Sequence, residues 1–190
     1  MTTLIDYDKL NSANPKEKYG CAKVLIRIAQ ENPLLLYPDF PLWSEMLEHA
    51  NNILKWTAID LIGYLSAIDT ENKINDLFPV LRTLLHGGQL ITCNHAIFTF
   101  GLIGKNKPEY TRQVIDELLA IQNDTFDTDE CKAIATGKVL DVFKSYGPNL
   151  RDTPEVLAFV REATSSRCDS TKKKAESLLK KIVNNDPTSR

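Results

Sequence analysis

The sequence predicts an all-α protein: an α–α superhelix, or solenoid, of about four helical hairpins behind an N-terminal part-repeat. Three observations predict it. First, the chain resembles itself at a spacing of 38 residues. Phe40-Pro41 returns as Phe78-Pro79, Leu47 as Leu85, Ile53 as Ile91, Ala58-Ile59 as Ala96-Ile97 and Gly63 as Gly101. Seven identities in one order at one offset mark a repeated unit. Second, Ala22, Ala58, Ala96, Ala135 and Ala175 form a series with steps of 36, 38, 39 and 40. Apolar residues follow each alanine four and seven positions on, as Ile62 and Leu65 follow Ala58 and Phe100 and Ile103 follow Ala96. Those offsets share one face of a helix, and the small alanine lets a neighbouring helix approach. Third, no segment alternates apolar and polar residues between hairpin turns, so no sheet is expected.

The elements follow in order. Asn14-Pro15 reads as a cap followed by proline at the first helical position, opening the helix of Ala22 in a part-repeat over 3–32. The first full repeat, 39–67, pairs a segment presenting Leu42, Trp43, Met46 and Leu47 with the Ala58 helix. The second, 73–105, pairs Leu77, Val80, Leu81, Leu84 and Leu85 with the Ala96 helix across Gly87-Gly88. The third, 109–145, pairs Val114, Ile115, Leu118 and Leu119 with the Ala135 helix, which starts at Asp127-Thr128-Asp129-Glu130 and stops at Gly147-Pro148. The fourth, 152–183, opens on Thr153-Pro154-Glu155 and pairs Val156, Leu157, Phe159 and Val160 with the Ala175 helix. Residues 184–190 read as a fraying tail, and 1–190 as a single repeat domain.

Composition narrows the function classes. Apolar residues make up 43% and charged residues 25%, close to the globular average, so neither disorder nor a membrane protein is indicated. The longest apolar stretch, Ile91 to Leu102, is broken by Thr92, Asn94 and His95. The acidic N-terminus lacks the basic and apolar regions of a signal peptide. Cys21, Cys93, Cys131 and Cys168 show no CxxC spacing, so reduced thiols in a cytoplasmic protein are expected. The net charge of −2 argues against a general nucleic-acid binder. It hides an asymmetry: residues 1–160 carry 15 basic against 21 acidic side chains, and residues 161–190 carry 8 against 4. The basic end would attract an acidic partner or the acidic body of another copy, or form a solvated last helix.

Phe40-Pro41-Leu42…Leu47, a short turn, then Leu54-Lys55-x-x-Ala58-x-x-Leu61-Ile62-Gly63-x-Leu65 resembles a HEAT repeat. The next unit ends Ala96-x-x-Thr99-Phe100-Gly101-Leu102-Ile103-Gly104, similar to HEAT-like and bilin-lyase-type repeats. The resemblance covers residues 39–183 and implies a HEAT/armadillo-like solenoid. The sequence departs from the family pattern at Lys55, where arginine is usual, and before the second helices, where Asn51-Asn52 and Gly88-Gln89 replace an aspartate.

No catalytic constellation is found. His49 and His86 end equivalent helices, where a cation suits the helix C-terminus. His86, Cys93 and His95 are close in sequence, but Cys93 and His95 stand about 200° apart around a helix and point to different faces. Gly101-Leu102-Ile103-Gly104 lies on a helix and is explained by packing rather than by phosphate binding, and Asp60 and Asp141 sit singly on their helices. No metal and no cofactor is expected.

What remains is a row two before, two after and six after each alanine, outside the buried stripe: Trp56, Asp60, Tyr64; Asn94, Phe98, Leu102; Ala133, Gly137, Asp141. The resemblance implies that second helices line a concave face where partners bind. Trp56, Asp60, Tyr64, Asn94, Phe98 and Asp141 are therefore the candidate partner-binding residues, against the alternative that they pack on adjacent helices. A non-enzymatic protein-binding scaffold is the first functional expectation. The second is a DNA-repair glycosylase-like protein, since some such enzymes resemble HEAT solenoids with Trp, Tyr and Asp in their cleft; no Lys/Arg cluster accompanies these residues here.

Overall fold

The computed structural model describes residues 7–150 and 153–184. Of the proposed tail over 184–190, Asn184 still belongs to the last helix and 185–190 lies outside the described residues, as do the first residues of the part-repeat over 3–32 and residue 152 at the start of the last repeat. Every regular element among the described residues is helical, and the chain forms two compact units, Met1–Val80 and Leu81–Arg190.

In the first unit, α1 (Pro15–Glu31) starts as its sequence dictates: Pro15 takes the first helical position and the Asn14 side chain accepts from the Lys16 N–H. Three-residue 3-10 turns, Pro33–Leu35 and Tyr37–Asp39, lead into α2 (Phe40–Met46), which is shorter than its apolar pattern suggests. Asn51 then caps α3 (Asn52–Leu65), accepting from the N–H groups of Ile53 and Leu54. α3 packs against both α1 and α2, and it is covered on most of its circumference. Trp43 is fully buried on α2, its indole N–H donating to the Leu36 carbonyl at 2.9 Å. Successive repeats here are tied by a pair of like hydrogen bonds. Tyr7 donates to Asp39 at 2.5 Å and Tyr37 to Asp69 at 2.8 Å, each across 32 residues. Asp69 also accepts from the N–H groups of Lys73 and Ile74 and so holds the start of α4 (Ile74–His86). Burial and the Asp69 hydrogen bond push the Tyr37 hydroxyl up to about 12.

α4 crosses the boundary of the two units. Its Pro79 shows that the repeats are not copies in structure. Pro41 sits at the start of α2, where a missing N–H costs nothing, whereas α4 begins earlier and encloses Pro79.

In the second unit, α5 (Leu90–Asn106) packs on α6 (Thr111–Ala120) and α7 (Asp129–Tyr146), and α7 packs on α9 (Asp169–Asn184), which also covers α8 (Pro154–Ala163). Thr128 caps α7 by accepting from the Cys131 N–H at 3.1 Å. At α8 the expectation holds for Pro154 and for Glu155 in the first turn, but the Thr153 side chain makes no cap bond. Along the Gly101-Leu102-Ile103-Gly104 segment α7 lies close against α5. A Cβ on Gly101 would stand 2.8 Å from Val142 Cγ2, and one on Gly104 would collide with the Tyr146 hydroxyl. The absent side chains let Tyr146 lie along α5 and donate to the Gly101 carbonyl at 3.2 Å. Burial then raises the Tyr146 hydroxyl well above its usual range.

The five alanines of the sequence series are all buried, at 0–3% exposure. They mark the packed face of α1, α3, α5, α7 and α9 in turn.

Candidate functional site

The row opposite the alanine stripe is formed helix by helix. On α3 the ridge of Trp56, Asp60 and Tyr64 rises one turn at a time. Asp60 is buried at 9% exposure, while Trp56 and Tyr64 are half-buried. The Tyr64 hydroxyl accepts from Gln30 Nε2 on α1, so part of its polar capacity is spent between helices.

On α5 the ridge carries Asn94, Phe98 and Leu102, and the exposed Ile91 lies on the same side one turn earlier. Ile91 is 52% exposed and Phe98 38%. A solvent-facing ridge is normally polar, so an apolar one is the unusual arrangement. Asn94 lies within it, and its Oδ1 is buried with no hydrogen-bond partner. An unused buried acceptor costs about 1–3 kcal/mol.

Asp141 stands apart. Lys174 of α9 pairs with it at 2.7 Å and also donates to the Gly137 carbonyl at 3.3 Å, while Thr171 donates to the Ala133 carbonyl at 2.7 Å. The α7 ridge is thus met by α9. The signal was present in the sequence, since Lys174 immediately precedes the last alanine of the series, but the crossing of α9 over α7 was not.

His86 ends α4 as the sequence reading has it, while His49 lies beyond α2, which stops at Met46. His86 does not simply oppose a helix dipole. Its Nδ1 lies 2.8 Å from Asp124 Oδ2 and its Nε2 3.1 Å from Glu117 Oε2, while Arg82 holds the other Glu117 oxygen at 2.7 Å. His49 Nδ1 instead accepts from the Asn51 N–H at 2.8 Å, closing the turn before α3, so that nitrogen carries no proton. The carboxylates face opposite edges of the His86 ring and cannot converge on one ion; among the described residues no three His, Cys, Asp or Glu side chains are grouped to hold a metal. Cys93 is fully buried, and burial pushes its thiol up to about 12.

A cavity of about 690 Å³ that the sequence did not signal lies within the second unit, between the first turns of α7, the end of α8 and the turn into α9. Its wall carries both signs of charge, with Glu130 and Glu162 against Lys132 and Arg167, and it includes Cys168. The Ser170 hydroxyl and the Thr171 N–H hold the Cys168 thiol down to about 7.

No family model and no curated sequence matches the chain. Among solved structures, an engineered protein from a structural genomics consortium is similar at a TM-score of 0.54 and 14% identity, over 95% of this chain and 78% of that one. A second engineered protein from the same source reaches 0.48 at 15% identity, over 96% of this chain and 98% of that one. A designed armadillo repeat protein reaches 0.39 at 13%, over 95% and 99%. The first likeness bears on fold alone. With the successive packing of alanine-marked helices, it establishes an all-α helical repeat fold of the solenoid class. No helix among the described residues is long and apolar enough to cross a membrane.

Proposed function

We propose that this chain is a non-enzymatic, cytoplasmic scaffold that holds a protein segment against the exposed ridges of its second helices. The observation that carries the reading is the α5 ridge, where Ile91 and Phe98 are 52% and 38% exposed. Exposed aromatic and aliphatic side chains in a row are the materials of a binding hot spot, because they supply area that a partner desolvates. Trp56 and Tyr64 offer a second such ridge on α3 of the first unit. Asp141 contributes less, because Lys174 already neutralises it.

The test is affinity capture from the native host followed by mass spectrometry, with the Phe98→Ala and Ile91→Ala changes made together. Loss of about 2 kcal/mol at a hot spot predicts roughly thirtyfold weaker capture of the principal partner. The circular-dichroism spectrum should be unchanged, since both side chains are substantially exposed. Undiminished capture removes the α5 ridge as the site. The same pair of measurements on Trp56→Ala with Tyr64→Ala decides the α3 ridge.

A further inference from the structure

The cavity of about 690 Å³ in the second unit falls within the range, roughly 300–1,000 Å³, in which proteins enclose small molecules. Three elements converge on it. The first turn of α7 brings Asp129, Glu130 and Lys132, the end of α8 brings Glu162, and the turn into α9 brings Arg167 and Cys168. Phe159 and Ala163, 5% and 7% exposed, give the wall an apolar part. Elsewhere in this unit opposite charges are spent on each other, as Lys174 is on Asp141 and Arg82 on Glu117. Around the cavity they are not. Among the described residues, the side chains of Glu130, Lys132, Glu162 and Arg167 form no ion pair and no hydrogen bond. Cys168, by contrast, is held in place. Its N–H donates to Ser166 Oγ at 3.2 Å, its carbonyl accepts from the Lys172 N–H at 2.9 Å, and its Sγ lies 3.3 Å from Ser170 Oγ. Thr171, donating to the Ala133 carbonyl at 2.7 Å, ties the start of α9 to α7.

We propose that this cavity takes a small disulfide bearing both carboxylate and ammonium groups, and that Cys168 is the residue modified by it. Lys132 and Arg167 receive the carboxylates, and Glu130 and Glu162 receive the ammonium groups. The Cys168 thiol first loses its proton to water, and the thiolate attacks one sulfur of the bound disulfide. A bond forms between Cys168 Sγ and that half, the original S–S bond breaks, and the other half leaves as a thiolate that takes up a proton. Cys168 is thereby oxidised to a mixed disulfide and the departing half is reduced to a thiol, so no further oxidant enters. The product is reversible by the same exchange. Phosphates and nucleotides are disfavoured, because Asp129, Glu130 and Glu162 outnumber the two cations on the wall. A wholly cationic disulfide would set its charges against Lys132 and Arg167. This site is independent of the ridge on α5 and stands or falls without it.

The experiment uses the full chain, reduced and then freed of reductant. It is mixed with oxidised glutathione, with neutral hydroxyethyl disulfide or with dicationic cystamine, and modification is followed by peptide mass spectrometry. Cys131, half-buried on the first turn of α7 but outside the cavity wall, reports how each reagent meets another thiol of the same chain. Relative to Cys131, Cys168 should favour oxidised glutathione over the other two by roughly tenfold, with the preference falling as salt rises. S-methylglutathione carries the same charged groups and no free thiol. At millimolar concentration it should slow alkylation of Cys168 by iodoacetamide and leave Cys131 unchanged. Lys132→Gln with Arg167→Gln should remove both the preference and the protection. Neither side chain is bonded to another described residue, so the circular-dichroism spectrum of this variant should match the wild type.

Three outcomes overturn the proposal. If Cys168 meets the three disulfides in the same proportions as Cys131, it is a reactive thiol without a binding site. If S-methylglutathione gives no protection, the cavity does not hold the ligand. If cystamine is the preferred reagent, or the preference for oxidised glutathione survives the double variant, Lys132 and Arg167 do not receive carboxylates and the assigned ligand class is wrong.

Discussion

At the residue scale, the side chains with unusual electrostatics are not those on the ridges. Glu117 is buried at 8% exposure and tolerates this because Arg82 and His86 both reach it. A buried carboxylate stripped of one partner would be left with its desolvation cost, so the cluster is best read as a structural clasp from α4 to α6 and the turn at Asp124. Cys168 is different, because its pKa of about 7 makes the nucleophilic thiolate a large fraction at neutral pH. Native-state alkylation with iodoacetamide, followed by peptide mass spectrometry, should label Cys168 faster than Cys21 or Cys93, which are 8% and 0% exposed. The direction with pH follows from the lowered pKa: the rate climbs through about pH 7 and levels about one unit above, as the thiol deprotonates. Cys93, pushed up to about 12, should stay unlabelled until the chain unfolds. Faster modification of Cys93 than of Cys168 would refute both placements.

At the element scale, glycines and 3-10 turns decide how close the helices come. Gly104 is the sharpest case, since the Tyr146 hydroxyl occupies the place of a Cβ. Gly104→Ala should displace Tyr146, break its bond to the Gly101 carbonyl and destabilise the protein by about 1–3 kcal/mol, although alanine is the better helix former. Urea titration of the wild type and this variant measures the difference, and an unchanged midpoint would mean that Tyr146 has another place to go. The Tyr37–Asp69 bond works on the same scale: one carboxylate joins two repeats and starts the next helix.

At the scale of the whole molecule, a repeat fold adds up its neighbouring interfaces instead of relying on one central core. Leu25 on α1 and Val139 on α7 are both fully buried, each in a different compact unit. Leu25→Val should cost about 1 kcal/mol and Val139→Ala about 2, by the methylenes removed and the cavity left. The double variant should lose their sum to within about 0.5 kcal/mol, measured by chemical denaturation with all four proteins. A larger discrepancy would mean that the units are energetically coupled. Charge is also organised at this scale, since Met1–Val80 holds 7 basic and 11 acidic side chains while 161–190 is basic. Long-range attraction of an acidic partner would therefore be felt at one end of the chain.

The all-α class, the repeat spacing and the buried alanine series were readable from residues alone, because a helix face has a fixed period and a packed face must be apolar. Phe98 and Asn94 were readable as ridge residues for the same reason. The fate of Asp141 was not, because it depends on α9 crossing α7 at Gly137 and delivering Lys174, a contact spanning 33 residues. His86 between Glu117 and Asp124, the Tyr–Asp bonds, and the cavity beside Cys168 are likewise products of helix crossing. Periodicity says which side of a helix is buried; only the packed structure says which neighbour lies there, and therefore which polar side chains are spent on the fold and which remain for a partner.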